Sequence, residues 1–293
     1  MIKKKIIPVV LCALVSVLVI SMSGCTTTTT STTLKVDAAD SLTDCFNQTG
    51  AAFTANNTGV NVTFNFAGSD VLATQLIQGG TADVFASANL AQMQNVQNAG
   101  LMNNSSVTTF AYNKLAIIVP TANPANITSL ADLAKPGIKL DIANSSVPVG
   151  NYTLQMLSKA SNNSTYGSGF NTSVLANVVS QETNVNDVVA KVALGQADAG
   201  IVYKSDVPAA YQSKVNTIAI PGSVNVLAKY PIGVVSTSSN AQLAQNWINY
   251  VTSPAGQAIL LKYGFIIPPT SQNTTAAAAT SAVTSQSTTA AAM

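Results

Sequence analysis

The chain has 293 residues, an apolar fraction of 47% and a charged fraction of only 8%, against about 25% in ordinary soluble domains. All 13 basic residues are lysine, histidine and arginine are absent, and Glu182 is the single glutamate. Ser-His-Asp and Cys-His catalysis, histidine-ligated metals and guanidinium clamps are thereby excluded, and no basic stripe marks a nucleic-acid surface.

The chain opens on Lys3, Lys4 and Lys5, continues through the apolar run Ile6 to Ile20, and reaches Ser23-Gly24-Cys25. That layout predicts an export signal. A small residue directly before Cys25 resembles a lipoprotein signal, so residues 1–24 are expected to be removed and Cys25 to carry lipid. Two chains on that cysteine suffice for stable anchoring. An uncleaved spanning helix is the other reading of the same run. Both place the rest of the chain outside the cytoplasm, on the outer face of the cytoplasmic membrane. Loss of the three leading lysines leaves 13 − 3 = 10 positive against 11 negative side chains. The formal positive charge thus belongs to the signal. Cys12 lies in the signal and Cys45 stands alone, so no intramolecular disulfide framework is expected.

Residues 25–33 are almost pure threonine and read as a polar tether. Residues 269–293 are Thr, Ser, Ala and Gln without apolar periodicity, and are expected to be disordered. About a dozen Asn-X-Ser/Thr sequons are scattered along the chain, such as Asn61-Val62-Thr63. They are glycan acceptors or the chance product of an Asn/Ser/Thr-rich composition.

Between these ends, strands and helices alternate. Leu34 to Val36 starts a strand, and Ser41 is expected to N-cap a helix with Asp44 as capping-box partner. A strand at Val60 to Phe66 leads to a helix at Ser69 to Gln78, stopped by Gly79-Gly80. A strand at Asp83 to Ser87 precedes a helix at Asn89 to Asn98, and Lys114 to Val119 is an apolar strand. Ser129 to Ala134 is a short helix and Ile138 to Ile142 a strand. Helices at Asn151 to Ala160 and Val185 to Leu194 follow, then a strand at Ala199 to Tyr203. An extended stretch, Val226 to Val235, and a helical segment from Ala241 to Tyr263, broken at Ser253-Pro254, complete the series. The alternation predicts an α/β fold on largely parallel sheets. Two lobes are expected, residues 34–112 with 231–268 and residues 113–230. The chain would cross near Asn113 and Tyr230, with the ligand cleft between the lobes.

Several residue strings resemble the periplasmic molybdate-binding proteins of ABC importers, which have the type II solute-binding fold. They are Ala38-Ala39-Asp40-Ser41-Leu42-Thr43, Phe66-Ala67-Gly68-Ser69, Ala82-Asp83-Val84-Phe85-Ala86-Ser87-Ala88, Val147-Pro148-Val149-Gly150-Asn151-Tyr152 and Gly200-Ile201-Val202-Tyr203-Lys204-Ser205-Asp206. Tyr230-Pro231-Ile232 and the later Lys262-Tyr263-Gly264-Phe265 complete the set. The likeness covers about Leu34 to Ile267. It implies a tetrahedral oxyanion, molybdate or tungstate, held by neutral donors with no direct metal ligand and no cofactor. The implied donors are the hydroxyls and N–H groups of Ser41 and Ser69, the backbone N–H groups of Val149 and Val185, and the phenol of Tyr203. Asp40 stands where the family often has a small apolar residue.

Helix starts at Ser41, Ser69, Val149 and Val185 would give a dianion four partial positive charges, without Lys or Arg. Taken singly, Ser41 and Ser69 are also ordinary helix caps, Tyr203 a core aromatic, and Val149 and Val185 loop or packing residues. Ser87 would end a strand on the cleft side. Asp83, Asp198 and Asp206 read as structural or surface charges. The expected function is capture of the anion by a monomer, with no catalysis, and delivery to an ABC permease. Sulfate or another oxyanion on the same fold, or a glycosylated surface adhesion role, are the alternatives.

Overall fold

The computed structural model describes residues 31–207 and 210–269. The expected signal lies outside the described residues, as do Cys25, the tether up to Thr30 and the tail from Thr270. Among the described residues no helix is long and apolar enough to cross a membrane.

Strand β1 (Thr32–Ala39) runs through a 3-10 turn (Asp40–Leu42) into helix α1 (Thr43–Asn56). Then come β2 (Val60–Ala67), α2 (Ser69–Ile77), β3 (Val84–Ala86), α3 (Leu90–Asn98) and the long strand β4 (Thr108–Pro120). A 3-10 helix (Leu130–Ala134) precedes β5 (Leu140–Ala143), α4 (Pro148–Ser161), α5 (Phe170–Leu175), β6 (Val178–Glu182), α6 (Val185–Ala193) and β7 (Ala199–Tyr203). The chain ends through β8 (Val215–Ala219), β9 (Leu227–Val234), α7 (Ala241–Thr252) and α8 (Pro254–Lys262). The strands lie in the order β2-β1-β3-β9-β4-β7-β5-β6, with β8 also on β4.

The sheets are mixed rather than largely parallel. β1 pairs in parallel with β2 and β3, and β5 with β6 and β7. β4 and β9 enter antiparallel and link the two parallel groups. The first half of β4 pairs with β9 from Thr108↔Ile232 to Lys114↔Leu227; the second half pairs with β7 from Leu115↔Tyr203 onward. Where β4 changes partner, the Asn225 side chain substitutes for a strand. Its Oδ1 accepts from Leu115 N–H at 3.1 Å and its Nδ2 donates to Leu115 O at 2.8 Å. This satisfies backbone groups that burial would otherwise strand.

Two packing groups hold the site's scaffold. Trp247 on α7 is fully buried, with its ring 5.5 Å from Phe46 and 5.4 Å from Phe53 of α1, both edge-on. Each such aromatic contributes about 2–3 kcal/mol by burial. On α6, Val185, Val188, Val189 and Val192 recur at helical spacing and are all buried. Gly200 of β7 lets that stripe approach the sheet, since a Cβ there would lie 2.7 Å from Val188 Cγ1.

Candidate functional site

Four strand-to-helix junctions meet at one small cavity of about 20 Å³, lined by Ala39, Asp40, Ser41, Gly68, Ser69, Ala88, Val147, Pro148, Val149, Val185 and Tyr203. Pockets for drug-sized ligands run to about 300–1,000 Å³, so this one is scaled to an ion. No lysine lines it. All five residues expected at the site, Ser41, Ser69, Val149, Val185 and Tyr203, are brought together here. The other lining residues sit one or two positions away from them, except Ala88, which follows β3.

The structure corrects the expected cap at Ser41. The helix is entered through the 3-10 turn, whose N-cap is Ala39, and no side chain caps either segment. Ser41 Oγ instead lies 3.0 Å from the hydroxyl of Tyr230. Ser69 is the first residue of α2 and Gly68 the N-cap, again with no side-chain cap. Ser69 Oγ accepts the N–H of Ala88 at 2.9 Å. Neither serine spends its hydroxyl on its own helix end, so the first-turn N–H groups of both segments keep no side-chain partner.

Helix α4 begins at Pro148, three residues before the expected Asn151, and its N-cap Val147 makes no side-chain cap. Proline suits that first position, where an N–H would be orphaned anyway. Val149 is thereby inside the first turn. The sequence string hid this start because Val147-Pro148-Val149 reads as a loop. Gly150 is required by close approach: a Cβ would fall 2.1 Å from Asn144 O and 2.4 Å from Ala143 O. Gly150→Ala is therefore expected to push the first turn of α4 off the end of β5. It should cost about 1–3 kcal/mol and weaken anion binding. Thermal melting and ligand titration of the variant check both. At α6 the cap is conventional: Asn184 Oδ1 accepts from Asp187 N–H at 2.9 Å. Val185 is the first helical residue after it.

Tyr203 ends β7 fully buried, and its hydroxyl has no hydrogen-bond partner among the described residues. Burial, then the neighbouring Tyr230 and Tyr152, hold its pKa well above the ordinary phenol value. It therefore remains a donor. A buried donor without an acceptor is costly, and here it belongs to the cavity lining.

The acids around the site are less conventional. Asp40 lines the cavity; burial, then the Asp187 charge, pushes its carboxyl up to about 6. Asp206, expected to be structural or a surface charge, is buried. Its Oδ2 accepts from Tyr203 N–H at 2.7 Å, and burial raises its pKa to about 8 despite that bond. Ser87 stands away from the cavity wall, with its hydroxyl donating to Asn89 O at 2.8 Å. Asp83 accepts from Lys35 N–H of β1 and from Ser238, and Asp198 from Lys139 N–H, joining the loops that lead into β7 and β5.

Fold and cavity together define a two-lobed solute-binding protein of the periplasmic type. The chain belongs to the bacterial extracellular solute-binding protein family, which it matches over residues 34–266. It is similar to the molybdate-binding protein ModA of Mycobacterium tuberculosis, 43% identical over 233 residues that cover 80% of this chain and 84% of that protein. Among solved structures it resembles the periplasmic molybdate-binding protein of Azotobacter vinelandii, with a TM-score of 0.69 and 21% identity over 80% of this chain and 100% of the other. It also resembles the sulfate-binding protein SubI of M. tuberculosis, with a TM-score of 0.73 and 19% identity over 80% and 86%. These two likenesses establish the fold. The family expected from the residue strings is borne out, and it is a family of solute binders.

Proposed function

We propose that the protein captures molybdate, with tungstate as a near-equivalent ligand, and delivers it to an ABC permease. One observation carries the reading: five residues with uncharged donor groups line a cavity of ionic size, and one of them, Tyr203, has a buried phenol without a partner among the described residues. The 43% identity to a molybdate-binding protein supports the choice of anion. In this reading Ser41 and Ser69 give hydroxyl and N–H, Val149 and Val185 give N–H, and Tyr203 gives its phenol. Helix starts supply the positive field that lysine and arginine supply elsewhere. The anion is held through its oxygens, with no cofactor.

The two lobes are residues 34–112 with 231–268 and residues 113–230, closing on the anion to make the form the permease recognises. The Ser146 hydroxyl donates to Asp70 Oδ2 at 3.0 Å, and this bond crosses that division. The working unit is a monomer held by lipid on Cys25 to the outer face of the membrane.

Titration with molybdate, tungstate and sulfate, followed by intrinsic fluorescence and melting, tests the reading. At a hundredfold excess over Kd, a ligand adds about 2.7 kcal/mol to stability. For a chain of this size that is a rise of roughly 5–10 °C. Molybdate and tungstate are expected to give it. Tighter sulfate binding transfers the site to sulfate, and no shift with any of the three sinks the anion reading.

A further inference from the structure

We propose that Tyr230 and Asn113 are positioning residues that fix the hydrogen-bond polarity of Ser41, so that its hydroxyl proton points into the cavity. The inference rests on the oxyanion reading above and deepens it.

Tyr230 is fully buried on β9, with its ring edge-on to Phe110, Phe265 and Tyr203. Two atoms lie within hydrogen-bond distance of its hydroxyl, Ser41 Oγ at 3.0 Å and Asn113 Nδ2 at 3.5 Å. The amide of Asn113 is oriented by its other bonds. Oδ1 accepts from Lys114 N–H at 2.9 Å, and Nδ2 donates to Ser205 Oγ at 2.7 Å. An amide nitrogen donates and has no acceptor capacity. Within hydrogen-bond distance the phenol proton therefore has one acceptor, Ser41 Oγ. With that lone pair occupied, the proton of Ser41 is left for whatever fills the cavity. Burial keeps the phenol protonated far beyond neutral pH. The second serine is fixed by the same logic through the main chain, since the N–H of Ala88 can only donate to Ser69 Oγ. Each serine thus has a donor behind it and presents a donor in front. Such a chain of bonds in one direction also polarises its last member. The Ser41 relay is the one made of side chains, and so the one that substitution can break.

The test is a double-mutant cycle. Molybdate Kd is measured for the wild type, Tyr230→Phe, Ser41→Ala and the pair, with apo melting recorded for each. Loss of one polarising bond should weaken binding about 10-fold in Tyr230→Phe. In the Ser41→Ala background the same change should alter Kd less than about 2-fold. A general loosening of the fold would give the same factor in both backgrounds, and that result overturns the relay. So does an unchanged Kd in Tyr230→Phe. Asn113→Ala, which keeps the phenol and removes the donor behind it, is the second variant. Its loss should again depend on Ser41, and equal loss in both backgrounds counts against the proposal. The wild-type arm answers for the parent reading: no molybdate saturation there sinks the functional proposal, whereas saturation with a silent Tyr230→Phe sinks the relay alone.

Discussion

Replacing both serines, Ser41→Ala with Ser69→Ala, is expected to lower molybdate affinity by a factor on the order of 10³ while the protein still folds. A hydrogen bond to a charged group contributes about 1.5–3 kcal/mol. Two lost together give about 3–6 kcal/mol, or roughly a hundredfold to ten-thousandfold in Kd. The folded state is also charged for the change. Without Ser69 Oγ the buried N–H of Ala88 loses its acceptor, and without Ser41 Oγ the phenol of Tyr230 loses its own. Each orphan costs about 1–3 kcal/mol, so the apo melting temperature should fall by several degrees while the transition stays cooperative. Circular dichroism at a temperature below that transition establishes folding, and titration then reads affinity. Binding within threefold of wild type in a folded double variant would remove both residues from the site.

The strand-helix alternation was legible because it is written in period. The valine stripe on α6 and the apolar run of β7 are local signals, and both elements stand where periodicity puts them. Five of the eleven lining residues were legible through the residue strings, since Ser41, Ser69 and Tyr203 occur in motifs with recognisable neighbours. What the sequence hid was pairing. That β4 is 13 residues long and changes partner midway depends on Asn225, 110 residues away, completing its ladder. Local pattern contains nothing about that contact. Short β6 and β8 and helix α5 escaped for a related reason: β6 and β8 are half exposed, and their apolar content is too thin to stand out. Ser41 was misread as a cap because a serine before a helix normally is one. The competing acceptor role toward Tyr230 needs a residue 189 positions on. Asn113 and Tyr230 stood out only as places where the chain crosses. A polar asparagine inside the apolar run of β4 was the available hint of a buried network.

The apo protein is expected to lose stability steadily as pH rises from about 4 to about 8, because burial raises several aspartates, Asp141 and Asp206 foremost, with Asp40 and Asp37 adding in the same sense. Asp141 is fully buried, and neither of its oxygens has a partner within hydrogen-bond distance among the described residues. Burial, then the charge of Glu182, raises its pKa to about 7. Asp206 is raised by burial to about 8. Below the ordinary carboxylate range both are protonated whether folded or unfolded. Above it the unfolded chain gives up these protons while the folded chain keeps them, so the folded state binds more protons and stability falls with pH. The loss is complete once pH passes the folded values, and is on the order of 10 kcal/mol at most. Asp132 works in the opposite sense. Its bonds to Lys135, Thr128 and Ser129 hold its carboxyl well below the usual range, so its contribution is lost only in acid. Asparagine imitates a protonated aspartate, donating through its nitrogen and accepting through its oxygen. Asp141→Asn with Asp206→Asn should therefore match the wild type near pH 4, melt higher at pH 9 and show a flattened profile between. A double variant with the wild-type slope would assign the pH dependence to other groups. The same protons matter to the cavity. Asp40 lines it, and Asp206 is bonded to the backbone N–H of Tyr203. A carboxylate this close opposes a dianion held by neutral donors without lysine. Burial keeps Asp206 uncharged at neutral pH, whereas Asp40, raised to about 6, is uncharged only in mild acid, so anion affinity is expected to rise as pH falls through about 6.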